Sequence, residues 1–108
     1  MPQLMMKSVK VENISTISKD MIDELEQLIQ CPRSYFTIEC INSTYIMDNK
    51  VVEPSPIIEV SLFDRGQETQ DKIAVIITKY LRIAGYKDVD IIFTLLDTSK
   101  YYENGKHF

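Results

Sequence analysis

From Pro56 to Leu96 the chain changes its hydrophobic period twice. Ile58, Val60 and Leu62 alternate with Ile57, Glu59 and Ser61, the two-residue period of a strand with one face buried. Asp64-Arg65-Gly66 interrupts that period. Ile73, Ile76, Ile77, Tyr80, Leu81 and Ala84 then recur at helical spacing and predict a single apolar helix face. Gly85 stands where a left-handed C-terminal cap is needed. Val89, Ile91, Phe93 and Leu95 return to strand alternation, so the segment predicts a β-α-β unit.

The first half is a looser copy. Pro2-Gln3-Leu4-Met5-Met6 is short and apolar enough for a first strand. Ile14, Ile17, Met21, Leu25 and Leu28, widened by Ile22 and Ile29, predict an amphipathic helix, with Asn13 or Ser18 as its N-cap. Asp20, Asp23 and Glu24 suit the positive end of its dipole. Pro32 ends it, because the residue before a proline is driven out of the helical region. Tyr35 to Ile41 alternates as a strand, and Asn42–Pro54 reads as a polar hairpin around Asp48-Asn49-Lys50. Pro56 follows Pro2 by 54 positions, Ile73 follows Met21 by 52, and Ile91 follows Ile38 by 53. The expected organisation is one domain, residues 1–108, made of pseudo-repeats 1–54 and 55–108.

Two tandem β-α-β units predict an α+β fold: a four-stranded sheet, both helices on one face, parallel strands within each right-handed unit. A ferredoxin-like sandwich and a paired β-α-β sheet share this element order, and periodicity does not choose between them. The net charge of −4 argues against nucleic acid or an anionic membrane as the main partner, since both need a basic face. No apolar run approaches a membrane span, and the start MPQLMMKSVKVEN lacks the parts of a signal peptide. Cys31 and Cys40 follow no metal spacing and read as reduced thiols of a cytoplasmic protein. His107, the single histidine, has no ligand set beside it, so no metal site is expected.

The chain resembles the tautomerase superfamily, which includes macrophage migration inhibitory factor and 4-oxalocrotonate tautomerase. Met1-Pro2 before an apolar strand, the Cys31-Pro32-Arg33-Ser34-Tyr35-Phe36 turn, the internal repeat, and Val89-Asp90-Ile91-Ile92-Phe93 carry the resemblance, which spans essentially the whole chain. FDRGQE at Phe63–Glu68 and YYENG near the C-terminus resemble a bacterial branch of unknown function within it. The resemblance implies a homotrimeric barrel with the helices outside and pockets between subunits. It also implies a cofactor-independent tautomerase or isomerase, acting on a small α-keto acid or its enol.

In such a protein Pro2 is the general base. Met1 is removed before a small second residue, and the freed secondary amine becomes neutral near pH 7 when burial disfavours its charged form. A neutral amine can take a proton from the carbon next to a carbonyl and return it elsewhere. The resemblance places Tyr35, Phe63, Tyr101 and Phe108 as pocket walls, and Arg33 as a replacement for a family lysine that is Cys31 here. Asp90 and Ile92 stand where relatives carry substrate-binding groups. Arg65 precedes a predicted helix N-terminus and could fork onto a substrate carboxylate, or pair with Asp64, Glu68 or Asp71. The proline also has an ordinary structural reading, because proline commonly starts edge strands. The alternative functions are therefore a non-catalytic small-molecule-binding or interaction module on the same scaffold, and a ferredoxin-like regulatory domain.

Overall fold

The computed structural model describes residues 2–108. Strands β1 (Gln3–Lys7), β2 (Thr37–Ile41), β5 (Ile57–Phe63) and β6 (Asp90–Leu96) form a four-stranded mixed sheet in the order β2-β1-β5-β6. Helices α1 (Val11–Ile29) and α2 (Gln67–Ile83) are the crossovers. Strands β1 and β2 are parallel, β5 and β6 are parallel, and the two units meet along the antiparallel β1–β5 seam.

Burial follows the alternation in the sequence. Leu4 and Met6 on β1 and Ile58, Val60 and Leu62 on β5 are buried against the helices, with Met21, Leu25, Ile29, Ile73, Ile77 and Leu81 facing them. The repeat survives in the hydrogen-bond register. Leu4 pairs with Ile38 as Ile58 pairs with Ile91, which sets Ile38 and Ile91 in equivalent places. The Pro2 carbonyl accepts from the Thr37 N–H at 3.2 Å, and the Pro56 carbonyl accepts from the Asp90 N–H at 3.0 Å. Each proline thus ties the start of its unit's first strand to the start of its second.

The two helices end differently. Gly85, at φ 107°, takes the positive-φ position after α2; its N–H donates to the Arg82 carbonyl and the Tyr86 N–H to the Leu81 carbonyl, both at 3.0 Å. Helix α1 closes on Gln30 at φ 61°, a conformation that costs a side-chain-bearing residue about 1 to 2 kcal/mol. The Gln30 amide offsets part of that cost by donating to the Gln27 carbonyl at 2.7 Å.

Several local expectations need correction. Neither Asn13 nor Ser18 caps α1; the cap is Lys10, which makes no side-chain capping bond. The helix begins earlier because its polar first turn is held by distant groups that carry no hydrophobic period. Tyr35 lies outside the strand, in a 3₁₀ turn over Arg33–Tyr35, since the proline before it starts a turn and strand pairing begins only at Thr37. Leu95 keeps the face of Ile91 and Phe93, paired with buried Leu62, but is half exposed because β6 is an edge strand. The hairpin expected around Asp48-Asn49-Lys50 is present as β3 (Tyr45–Met47) and β4 (Lys50–Val52), with Asp48 and Asn49 both at positive φ, as a tight two-residue turn requires.

Candidate functional site

Strand directions decide what meets Pro2. Gln3 pairs with Thr37 and with Ser61, and Phe63 pairs with Leu96. The start of β1, the start of β2 and the ends of β5 and β6 therefore share one end of the sheet. The α1–β2 connection and the tail after β6 come to the same end. Pro2 is buried there, with less than 2% of its surface exposed. Met1, whose expected removal would free the Pro2 nitrogen, lies outside the described residues.

An aromatic wall assembles at this end from residues far apart in the chain. Asp97 starts a short turn by accepting from the Ser99 N–H at 2.9 Å and the Ser99 hydroxyl at 2.7 Å, which hold its carboxyl below the ordinary value. Beyond it a small hairpin, β7 (Tyr102–Glu103) and β8 (Lys106–His107), returns the chain so that the Phe108 N–H donates to the Tyr101 carbonyl at 3.0 Å. The rings of Phe63, Tyr101 and Phe108 then form a closed triangle with centroids 5.6, 5.5 and 5.1 Å apart, within the favourable range for aromatic pairs. Three of the residues singled out in the sequence are brought together.

Arg65 comes to the same end of the molecule by a contact the sequence did not suggest. Its Nη1 donates to the Ile29 carbonyl at 3.1 Å, at the C-terminus of α1, where a cation suits the negative end of the helix dipole. Asp64 does not pair with it; the Asp64 carboxylate accepts from the Gly66 N–H at 2.9 Å. Burial pushes the Cys31 thiol above its ordinary value, against the opposing pull of the Arg65 cation.

Arg33 is committed elsewhere. Its Nη1 donates to Asp23 at 2.6 Å and lies 3.3 Å from Glu26, so it fastens the turn after α1 to that helix. The hydrogen bonds from Lys19 and Arg33 hold the Asp23 carboxyl below its ordinary range. Tyr35 is half-buried in the adjoining turn. Asp90 lies at the other end of the sheet, beside Ile57, and Ile92 is exposed on the face without helices. Glu39 and Glu59 both pair with Met5 on that same face.

A cleft of about 550 Å³ opens at the end of the sheet where Pro56 stands. Its wall includes Tyr86, whose Oη accepts from the Lys10 N–H at 2.8 Å and from Asn13 Nδ2 at 3.2 Å. Sequence reading missed this cluster. Asn13 stood out as a helix cap, and the one available hint was Tyr86 directly behind the Gly85 cap. Among the described residues no group of three or more His, Cys, Asp or Glu side chains stands close enough to hold a metal ion. Nor is any described helix long and apolar enough to cross a membrane.

The comparisons with known proteins agree with this geometry. No curated protein matches the sequence. A DUF1904 domain structure from Sebaldella termitidis superposes with TM-score 0.92 at 34% identity, covering 100% of both chains. A macrophage migration inhibitory factor-like protein from Entamoeba histolytica superposes at TM-score 0.71 with 17% identity, over 99% of this chain and 98% of that one. A fused 4-OT described as an asymmetric trimer gives TM-score 0.81 at 9% identity, over 97% and 94% of the two chains. At such identities the last two establish the fold alone: the tautomerase-type pairing of β-α-β units, not the ferredoxin-like alternative. The family model for the domain of unknown function DUF1904 matches residues 1–107, and the chain belongs to that family.

Proposed function

We propose that this protein is a cofactor-independent keto–enol tautomerase of small α-keto acids, with Pro2 as its base once Met1 is removed. The observation that carries the reading is the burial of Pro2 at the sheet end shared with the Phe63–Tyr101–Phe108 wall. Burial keeps a secondary amine neutral, and the clamp between the Pro2 carbonyl and Thr37 fixes its direction. The amine takes the proton from the carbon beside the keto group, the electron pair moves to the carbonyl oxygen, and the proton returns to that oxygen. Reversal of the same steps ketonises an enol. Neither direction needs an oxidant or a metal.

Arg65 keeps further N–H groups beyond the one on the Ile29 carbonyl, and these suit the carboxylate of the substrate. Ring closure into a homotrimer completes the pocket. It covers the face of the sheet without helices, where Ile92 is 50% exposed, and the hairpin residues Ile46 and Val51, 71% and 73% exposed. In solution, light scattering should return three times the chain mass.

The test is turnover of a small enol by the wild-type protein and by Pro2→Ala. Loss of about 10²- to 10⁴-fold in rate with the oligomer intact is expected for removal of a general base. Unchanged turnover in Pro2→Ala contradicts the proposal. Asp90 and Ile92, which stand where the resemblance implies substrate-binding groups, favour a second reading, binding without turnover on the same scaffold. That reading predicts ligand affinity in both proteins and catalysis in neither.

A further inference from the structure

The internal repeat gives the sheet two ends of similar construction. At one, Pro2 and the α1–β2 connection meet. At the other, Pro56 and the α2–β6 connection Gly85-Tyr86-Lys87-Asp88 meet, and the cleft of about 550 Å³ lies between them and the start of α1. Pro56 has residues on both sides, so its nitrogen is a tertiary amide without basicity. Whatever this end does, it does not do through a proline base.

Its chemistry is polar and carries both charge signs. Lys10 and Lys87 bring cations to the cleft, Glu53 and Asp88 bring carboxylates, and none of the four is in an ion pair among the described residues. The Tyr86 hydroxyl is held by two donors, the Lys10 N–H at 2.8 Å and Asn13 Nδ2 at 3.2 Å. Both bonds fall on the lone pairs of the oxygen, so its own hydrogen is left to donate. Asn13, having given an N–H to Tyr86, keeps its Oδ1 to accept; among the described residues neither group has another partner. The result is one oriented donor and one oriented acceptor side by side, pinned to the first turn of α1. A carboxylate takes the donor and an adjacent ammonium takes the acceptor.

We infer that the cleft at the Pro56 end is a binding site for a small zwitterion of the α-amino acid class. The ligand carboxylate lies on the Tyr86 hydroxyl within reach of Lys10 and Lys87, and its ammonium lies on Asn13 Oδ1 within reach of Glu53 and Asp88. A ligand with one charge only would satisfy half of these groups and leave the opposite pair facing a like charge. The site is independent of the proline chemistry, so it can stand if the tautomerase proposal fails.

The test is a two-dimensional ¹H–¹⁵N titration of the full chain with each common L-amino acid. The tightest is then compared with its analogue lacking the amino group and its analogue lacking the carboxylate. Saturable shifts confined to the amides of Lys10, Asn13, Gly85, Tyr86 and Lys87 are expected, with affinity falling about tenfold or more for either analogue. Tyr86→Phe and Asn13→Ala should each weaken binding by a similar factor. Lys87→Ala, at an exposed position that leaves the Tyr86 contacts untouched, should weaken it as well and guards against a folding defect in the other two. No saturable shift with any amino acid overturns the inference. So does equal binding of the deaminated analogue, which marks a plain anion site, and so does full affinity in all three variants.

Discussion

The two halves of this chain share a backbone plan and differ in what surrounds it. Both prolines are buried, and both offer their carbonyls to the first residue of the neighbouring parallel strand. Around Pro2 the chain gathers three aromatic rings and a guanidinium. Around Pro56 it gathers hydroxyls, amides and charges of both signs. The strand ladder alone therefore does not make an active site. The same ladder supports an end walled by aromatic rings and an end lined by polar and charged side chains. What separates them is the connections: the tail after β6 folds over the first end, and the α2–β6 turn with the start of α1 forms the second.

The largest effect expected on this contrast is the loss of turnover in Pro2→Ala. The matching change at the other end, Pro56→Ala, should leave turnover unaltered, since its nitrogen is a tertiary amide without basicity. An equal loss at both positions in the same assay would remove the distinction between the ends.

Next in size is the shared core. Ile77 on α2 has no exposed surface, and Leu25 on α1 has 1% exposed, at equivalent places in the two repeats. Replacing either by Ala should cost about 2 to 5 kcal/mol in denaturant unfolding, by lost burial plus the cavity left behind. Similar values at the two sites are expected of one common core. A large cost at one and none at the other would show that the repeats do not share it.

The helix ends supply a smaller test. Gly85→Ala puts a side chain at φ 107°, where backbone strain costs it about 1 kcal/mol. Gln30→Gly relieves the corresponding strain at the end of α1 and should stabilise by about 0.5 to 1 kcal/mol. The two variants should thus move the unfolding midpoint in opposite directions.

The pattern of apolar positions announced both helices and all four strands of the sheet, and the polar run around Asp48-Asn49-Lys50 announced the hairpin. These were legible because each depends on residues two to four positions apart. The repeat was legible for the same reason, down to the equivalence of Ile38 and Ile91. The surroundings of the two ends were less so. Phe63, Tyr101 and Phe108 were singled out from family resemblance, and nothing in their spacing shows that the rings touch. Arg65 on the Ile29 carbonyl joins residues 36 apart, and Tyr86 with Lys10 joins residues 76 apart. Such contacts are set by how the units pack across the β1–β5 seam and leave no local periodicity. Arg33 illustrates the same limit: its partners Asp23 and Glu26 lie 10 and 7 residues back along the chain, a separation at which charge alone does not distinguish an ion pair from a free cation.

The smallest expected effect comes from two pinned carboxylates of α1, Asp23 and Glu24. Hydrogen bonds from Lys19 and Arg33 to Asp23, and from Lys79 to Glu24, hold both carboxyls below their ordinary values. A folded-state value below the unfolded one gives stability that is present above the unfolded value and is lost as pH falls through the folded one. The wild-type melting temperature should accordingly fall more between pH 5 and about pH 2 than that of the Asp23→Asn, Glu24→Gln variant. Parallel curves would mean that these pairs add nothing to the folded state.

Pro2 acts as a base only if its nitrogen is free, and the intact mass of the untagged protein expressed from its own start reads this directly. The expected result is one species lighter than the translated chain by a single methionine. Quantitative retention of Met1 would make that nitrogen a tertiary amide and contradict Pro2 as the base.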